Sequence, residues 1–280
     1  MPSLIYDTLD IILPFEWLNY AFMKNALLAV LLISPLFGLL GTMVVSNKMA
    51  FFSDALGHGA FTGIAIGAIF GLMNPVLAAA FFSLLFAVLI TIIKEKSRES
   101  TDTIIGVFSS LAVALGLVLM SMGGSFNKYS SYLIGDLLSI SPGEIGALAI
   151  VFATVIIIWA FISKRLLLVS INRSLAASRG IKTLPVEMIF TAIVALIVTV
   201  SIQWVGLLIV NSMLVLPAAA ARNIARNNRQ YTVISILIAL ISGFWGLIGS
   251  YYLNTATGAT IVLVSGILFF VSLAFKRVRS

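Results

Sequence analysis

Nothing constrains this chain more than the succession of apolar stretches along it. A helix needs about 20 predominantly apolar residues to cross roughly 30 Å of hydrocarbon. Nine stretches qualify, at approximately 22–46, 50–72, 75–93, 103–122, 142–162, 185–202, 204–221, 231–252 and 256–275. In lipid every backbone polar group must be satisfied internally, which makes such segments helices. The composition agrees: 61% of residues are apolar and 10% charged, against about 25% charged in an average soluble domain. The expected fold is all-α, a polytopic integral membrane protein with about nine transmembrane helices. Eight is the alternative, because the sixth and seventh stretches are short and separated only by Gln203 and Trp204; a broken helix and a tight outer hairpin both fit.

Basic residues are retained on the cytoplasmic side of short loops. Of the 17 Lys and Arg, only Lys24 and Lys128 fall on the opposite side when the N-terminus is placed outside and the C-terminus in the cytoplasm. The net charge of +7 is thus explained by topology, without nucleic acid as a partner. Residues 1–20 carry three acids, two prolines and a tryptophan among apolar residues and are expected to lie as an interfacial amphipathic segment. They lack the early bases and small-residue cleavage site of a secretory signal. The longest hydrophilic stretch, 163–184, is too short for a soluble domain, so residues 1–280 are expected to form a single transmembrane domain with 164–184 as a cytoplasmic loop.

The absences narrow the chemistry. With no cysteine and one histidine, His58, there are no thiolate metal sites and no zinc site built on several histidines of one chain. No G-x-x-x-x-G-K-[ST] phosphate loop occurs, so ATP cannot be bound by that route and any ATPase must be a separate subunit. An intramembrane zinc protease would need H-E-x-x-H.

The most specific segment is Phe51 to Pro75. Asp54 and His58 stand four residues apart and therefore on one helix face, with Thr62 extending it. Counting about 1.5 Å per residue from Lys48 puts them roughly 9 and 15 Å into the bilayer. Ionisable groups at that depth are costly and usually mark an ion or substrate path. Carboxylate plus imidazole suits zinc or manganese, and two ligands bind loosely, as transit requires. Two copies of the pair on a symmetry axis would supply four ligands. Binding requires neutral imidazole and ionised carboxylate, so transport should fall as the histidine protonates. The plainer reading is that the two residues satisfy one another while holding helices together. Gly59, Gly63, Gly67 and Gly71, at strict spacing four, read as a packing groove.

Three further segments carry expectations. Residues 126–143, with Tyr132 and Asp136, suit a short helix dipping into the outer leaflet, either a gate or an interfacial loop anchored by tyrosines. In 164–184, Ser170 or Asn172 can cap a short helix that Gly180 would end; Asn172, Arg173, Ser174, Leu175, Ala176 and Gly180 would then dock a motor subunit, or simply form a solvated basic loop. In 203–222, Asn211 and Ser212 sit in mid-span ahead of Pro217, which frees a carbonyl and suits a pore-lining or moving helix.

Several ordered motifs resemble one family over the full length. They are Ser53-Asp54-Ala55-Leu56-Gly57-His58 with Gly63, Asp102-Thr103, Ser131-Tyr132-Leu133-Ile134-Gly135-Asp136-Leu137-Leu138, Val205-Gly206-Leu207-Leu208, and Leu216-Pro217 followed by four alanines and Arg222. The chain is similar to the permease subunits of bacterial ABC importers for zinc, manganese or iron(II). The resemblance implies a homodimer, two cytoplasmic ATP-binding subunits and an extracytoplasmic metal-binding protein, in a bacterial inner membrane. It also implies that Asp54 and His58 line the path of a transported divalent metal, with no permanently bound cofactor. Gly57 stands where the family commonly has Ala, and Ile171-Asn172 where it usually has an aromatic and an acid. The stretch 221–226 leans toward the zinc branch. The rivals are a secondary, gradient-driven carrier of metal or organic cations and a non-transporting scaffold.

Overall fold

The computed structural model describes Tyr6, residues 15–71, 75–123 and 137–279. Among them there are ten α-helices, two short 3-10 turns and no strand. The helices are α1 (Ala21–Ser46), α2 (Phe52–Ile69), α3 (Pro75–Lys96), α4 (Thr101–Gly123), α5 (Pro142–Ile171), α6 (Arg173–Ser178), α7 (Thr183–Val205), α8 (Leu207–Ile224), α9 (Asn228–Leu253) and α10 (Thr257–Arg279).

Seven helices among the described residues are long and apolar enough to cross a membrane: α1, α3, α4, α5, α7, α9 and α10. By length and composition the described residues do not support the expected nine. The second and seventh stretches are also helical. In α2, Asp54, His58 and a series of glycines dilute the apolar residues over a helix of only 18 residues. Helix α8 is an apolar helix of the same length, with Asn211, Ser212 and Pro217 within it. The break between the sixth and seventh stretches lies at Gly206, whose φ of 82° caps α8 in a conformation that side chains resist. Conversely, α5 outruns its expected 142–162 range. Its 30 residues span about 45 Å at 1.5 Å per residue, so the hydrophilic loop expected from 164 is helical as far as Ile171.

The helices gather into two compact units. In the first (residues 1–42, 135–153 and 204–280), α8, α9 and α10 pack on one another. Close approach is enforced by small residues: a Cβ on Gly41 would lie 2.0 Å from the Leu214 carbonyl oxygen, and one on Gly38 would lie 2.7 Å from the Ile236 Cα. The Ser235 hydroxyl donates to the Gly38 carbonyl at 2.6 Å and seals the same contact. The described part of the segment expected to lie at the interface is a 3-10 turn, Glu16–Asn19, with Trp17 and Leu18 buried and the Trp17 ring edge-on to Phe244; the rest of 1–14, except Tyr6, lies outside the described residues. A small apolar hollow in this unit is lined by Val30, Phe37, Ile209 and Met213 with Ser34 as its one hydroxyl, and includes no ionisable side chain.

In the second unit (residues 43–134 and 154–203), α2 packs against both α3 and α4. Ala60, Phe61, Ile64 and Ala65 of α2 form a buried cluster with Ala79 of α3 and Met120 of α4. The glycine groove works as expected at two positions. A Cβ on Gly63 would meet the Ala79 Cα at 2.7 Å, and one on Gly59 would meet the Phe86 ring at 3.2 Å. Gly71 does not extend the groove: it lies beyond the end of α2, with open space around it.

Candidate functional site

Helix α2 is buried nearly throughout, and that makes its exceptions informative. Phe52, Ser53, Ala55, Leu56, Gly57, Gly59, Ala60 and Phe61 are all buried, whereas the Asp54 and His58 side chains are 41% and 27% exposed. Packing explains the division: Gly59 and Gly63 face α3, while Phe61 and Thr62 face Gly116 of α4. The remaining face carries the carboxylate and imidazole. His58 Nε2 lies 3.5 Å from Asp54 Oδ2, too far for a strong hydrogen bond but near enough for both to address one small cation. Asp54 also sits in the first turn of α2, where the partial positive charge of a helix N-terminus favours an anion.

Thr62 does not share that exposure. It is 1% exposed, and its hydroxyl donates to the Ala112 carbonyl at 2.6 Å and lies 3.0 Å from the His58 carbonyl. The reason is helical geometry. Each four-residue step advances a stripe by about 40°, so two steps from Asp54 turn Thr62 about 80° toward α4. Asn211 lies half-buried in α8, in the first unit. Tyr132 and Asp136 lie outside the described residues, as does 124–136 as a whole; from 137 the chain forms a 3-10 turn, Leu137–Ser139. The Ile140 carbonyl just after it accepts a hydrogen bond from Asn25 Nδ2 at 3.0 Å. Among the described residues no three His, Cys, Asp or Glu side chains group to hold a metal; Asp54 and His58 are a pair.

The short helix expected after the fifth span is present as α6. The Asn172 side chain caps it by accepting from the Leu175 N–H at 3.0 Å. Arg179 closes it and Gly180, at φ 76°, turns the chain away. Ala176 is its buried residue; Ser174 and Leu175 are exposed.

Reading the sequence alone misses what Arg173 does. Its Nη1 pairs with Glu95 Oε2 at 2.6 Å and its Nη2 with Glu187 Oε2. Lys94 Nζ lies 3.7 Å from the same Glu187 oxygen. Two bases and two acids thus gather where α3, α6 and α7 meet, around a Glu187 side chain only 6% exposed. Burial alone would lower the Arg173 pKa, but the hydrogen bond and charge of Glu187, reinforced by Glu95, raise it above the ordinary guanidinium value. The available signal was Glu187 itself, an acid within the stretch read as the sixth span.

The chain matches the family model of the ABC 3 transport family over residues 19–276. It is 34% identical over 260 residues to the high-affinity zinc uptake system membrane protein ZnuB of Haemophilus influenzae, covering 91% of this chain and 97% of that protein. It is 29% identical over 258 residues to the manganese transport system membrane protein MntC of Listeria monocytogenes, covering 92% of each. Its backbone is similar to the solved structure of PsaBC from Streptococcus pneumoniae in complex with Fab, with a TM-score of 0.78 and 28% identity over 97% of this chain and 95% of that one.

Proposed function

Because the chain belongs to the ABC 3 transport family, we propose that it is the membrane-spanning permease subunit of an importer that moves a divalent metal ion, zinc in the first instance and manganese next, into the cytoplasm. The observation that carries this reading is the Asp54/His58 pair, half-open on a helix whose other faces are packed. Carboxylate and imidazole together prefer borderline divalent cations. A two-ligand set holds such an ion weakly enough to release it, and a second copy of the chain would raise the number to four. Relatives whose names specify zinc and manganese support the metal class.

Energy must come from outside the chain, which has no phosphate loop. A separate cytoplasmic ATP-binding subunit would dock on α6, and an extracytoplasmic metal-binding protein would deliver the ion. The orientation that suits this arrangement has the N-terminus outside and the basic loops in the cytoplasm. A gradient-driven carrier finds no support in the family match.

The test is uptake of radioactive zinc or manganese by proteoliposomes holding the permease with its ATPase. Asp54→Asn and His58→Ala should each abolish uptake while the complex still assembles. Normal uptake by either variant would reject the site.

A further inference from the structure

We propose that Arg173, Glu187 and Lys94 are positioning residues that link the short cytoplasmic helix α6 to the turn from which the Asp54/His58 helix starts, so that motion of α6 reaches the metal ligands. This linkage rests on the ABC-permease reading above.

The contacts are continuous and lie within one compact unit. Arg173, the first residue of α6, grips Glu187 at the start of α7 and Glu95 at the end of α3. Glu187 also holds Lys94, and Lys94 Nζ reaches 3.8 Å to Met49 Sδ. Met49 is 3% exposed and belongs to the turn between α1 and α2. Its N–H donates to the Val44 carbonyl at 2.9 Å, and its own carbonyl accepts from the Phe52 N–H at 3.0 Å. It is therefore fixed both to the end of α1 and to Phe52, the first residue of α2, two residues before Asp54. One turn deeper, the Thr91 and Thr191 hydroxyls meet at 2.9 Å and tie α3 to α7 below the ionic cluster.

Simple adhesion does not account for this arrangement. Glu187 is only 6% exposed, and a buried carboxylate is a costly means of holding helix ends together, since buried ion pairs can often be replaced by apolar side chains with no loss of stability. Helix α6 has little else to hold it, since Ala176 is its buried residue. The planar guanidinium fork spans two carboxylates at once in a fixed geometry, which an ammonium cannot do. A push on α6 is therefore delivered to the ends of α3 and α7, and through Lys94 to the start of α2. Packed groups of this kind shift between discrete arrangements more readily than they deform continuously.

The experiment measures metal uptake per ATP hydrolysed by the permease–ATPase complex in proteoliposomes, with Zn²⁺ or Mn²⁺ as the probe. Arg173→Lys keeps the charge and removes the fork; Lys94→Met keeps the length and removes the charge, away from the docking surface. Lys94→Met should co-purify with the ATPase and hydrolyse ATP as the wild type does, while in both variants uptake per ATP falls about tenfold or more, within the usual range of coupling free energies. Lys96→Gln, which loses an exposed base on the same helix, should behave as wild type. Wild-type uptake per ATP in Arg173→Lys and Lys94→Met would overturn the linkage. So would loss of the ATPase from Arg173→Lys alone, which would make that residue a docking contact. Failure of the wild-type complex to take up metal at all would instead overturn the permease reading, and the linkage with it.

Discussion

Asp54 and His58 differ from their neighbours on α2 in what they face, and this decides which substitutions should matter. Ser53, Leu56 and Ala60 are buried, so changes there act through packing. Changes at Asp54 and His58 act on whatever enters the space beside them. Thr62 divides the two classes. Its hydroxyl bonds the Ala112 carbonyl inside the α2–α4 contact, and Thr62→Val would remove that interhelical hydrogen bond, costing about 1 kcal/mol. A small fall in the thermal midpoint of the purified protein, with uptake retained, is the expected result. Glu187 should be far less tolerant. Glu187→Ala strands Lys94 and weakens the hold on Arg173, and breaking a buried pair on one side costs about 3–5 kcal/mol. A sharp loss of folded protein in detergent, read by size-exclusion chromatography, is expected.

At the scale of helices, α2 is held by how closely α3 can approach. Gly63→Ala would put a methyl group 2.7 Å from the Ala79 Cα and 2.8 Å from the Ala78 carbonyl oxygen, both of them backbone and unable to rotate aside. Such overpacking costs about 1–3 kcal/mol. Gly63→Ala should lower the thermal midpoint more than Thr62→Val, whereas Gly71→Ala meets no neighbouring atom and is limited only by its φ of 63°. Much of this level was legible in the sequence, because spacing four along a helix places Gly59 and Gly63 on one ridge whatever the partner is. The end of the ridge was not legible, since nothing in the spacing says that α2 stops at Ile69. The short helix α6 was readable from Asn172 and Gly180, one a side-chain cap and the other a residue able to take positive φ. The ionic cluster was not readable: Arg173 meets Glu95 from 78 residues away, a pairing that only tertiary packing creates. Thr62 misled because a four-residue stripe drifts around the helix, and two steps are enough to carry it into a contact.

For the molecule as a whole, hydropathy identified an all-helical membrane protein at once, while seven of its helices among the described residues are long and apolar enough to cross a membrane. The helix carrying the polar pair is itself too polar to qualify as one. This is what a transport site demands, since residues placed to meet an ion are the residues that lower apolarity. On the proposed permease reading, which rests on family membership, a chain with no phosphate loop works with an external motor. Uptake should therefore be abolished by vanadate and unaffected when the proton gradient is collapsed. The metal path through Asp54 and His58 is tested most sharply by ATP-driven uptake of radioactive zinc into proteoliposomes containing the wild-type complex, Asp54→Asn or His58→Ala, with co-purification of the ATPase as the check on assembly. Uptake is expected from the wild type and none from either assembled variant; undiminished uptake by either variant would contradict a metal path at this pair.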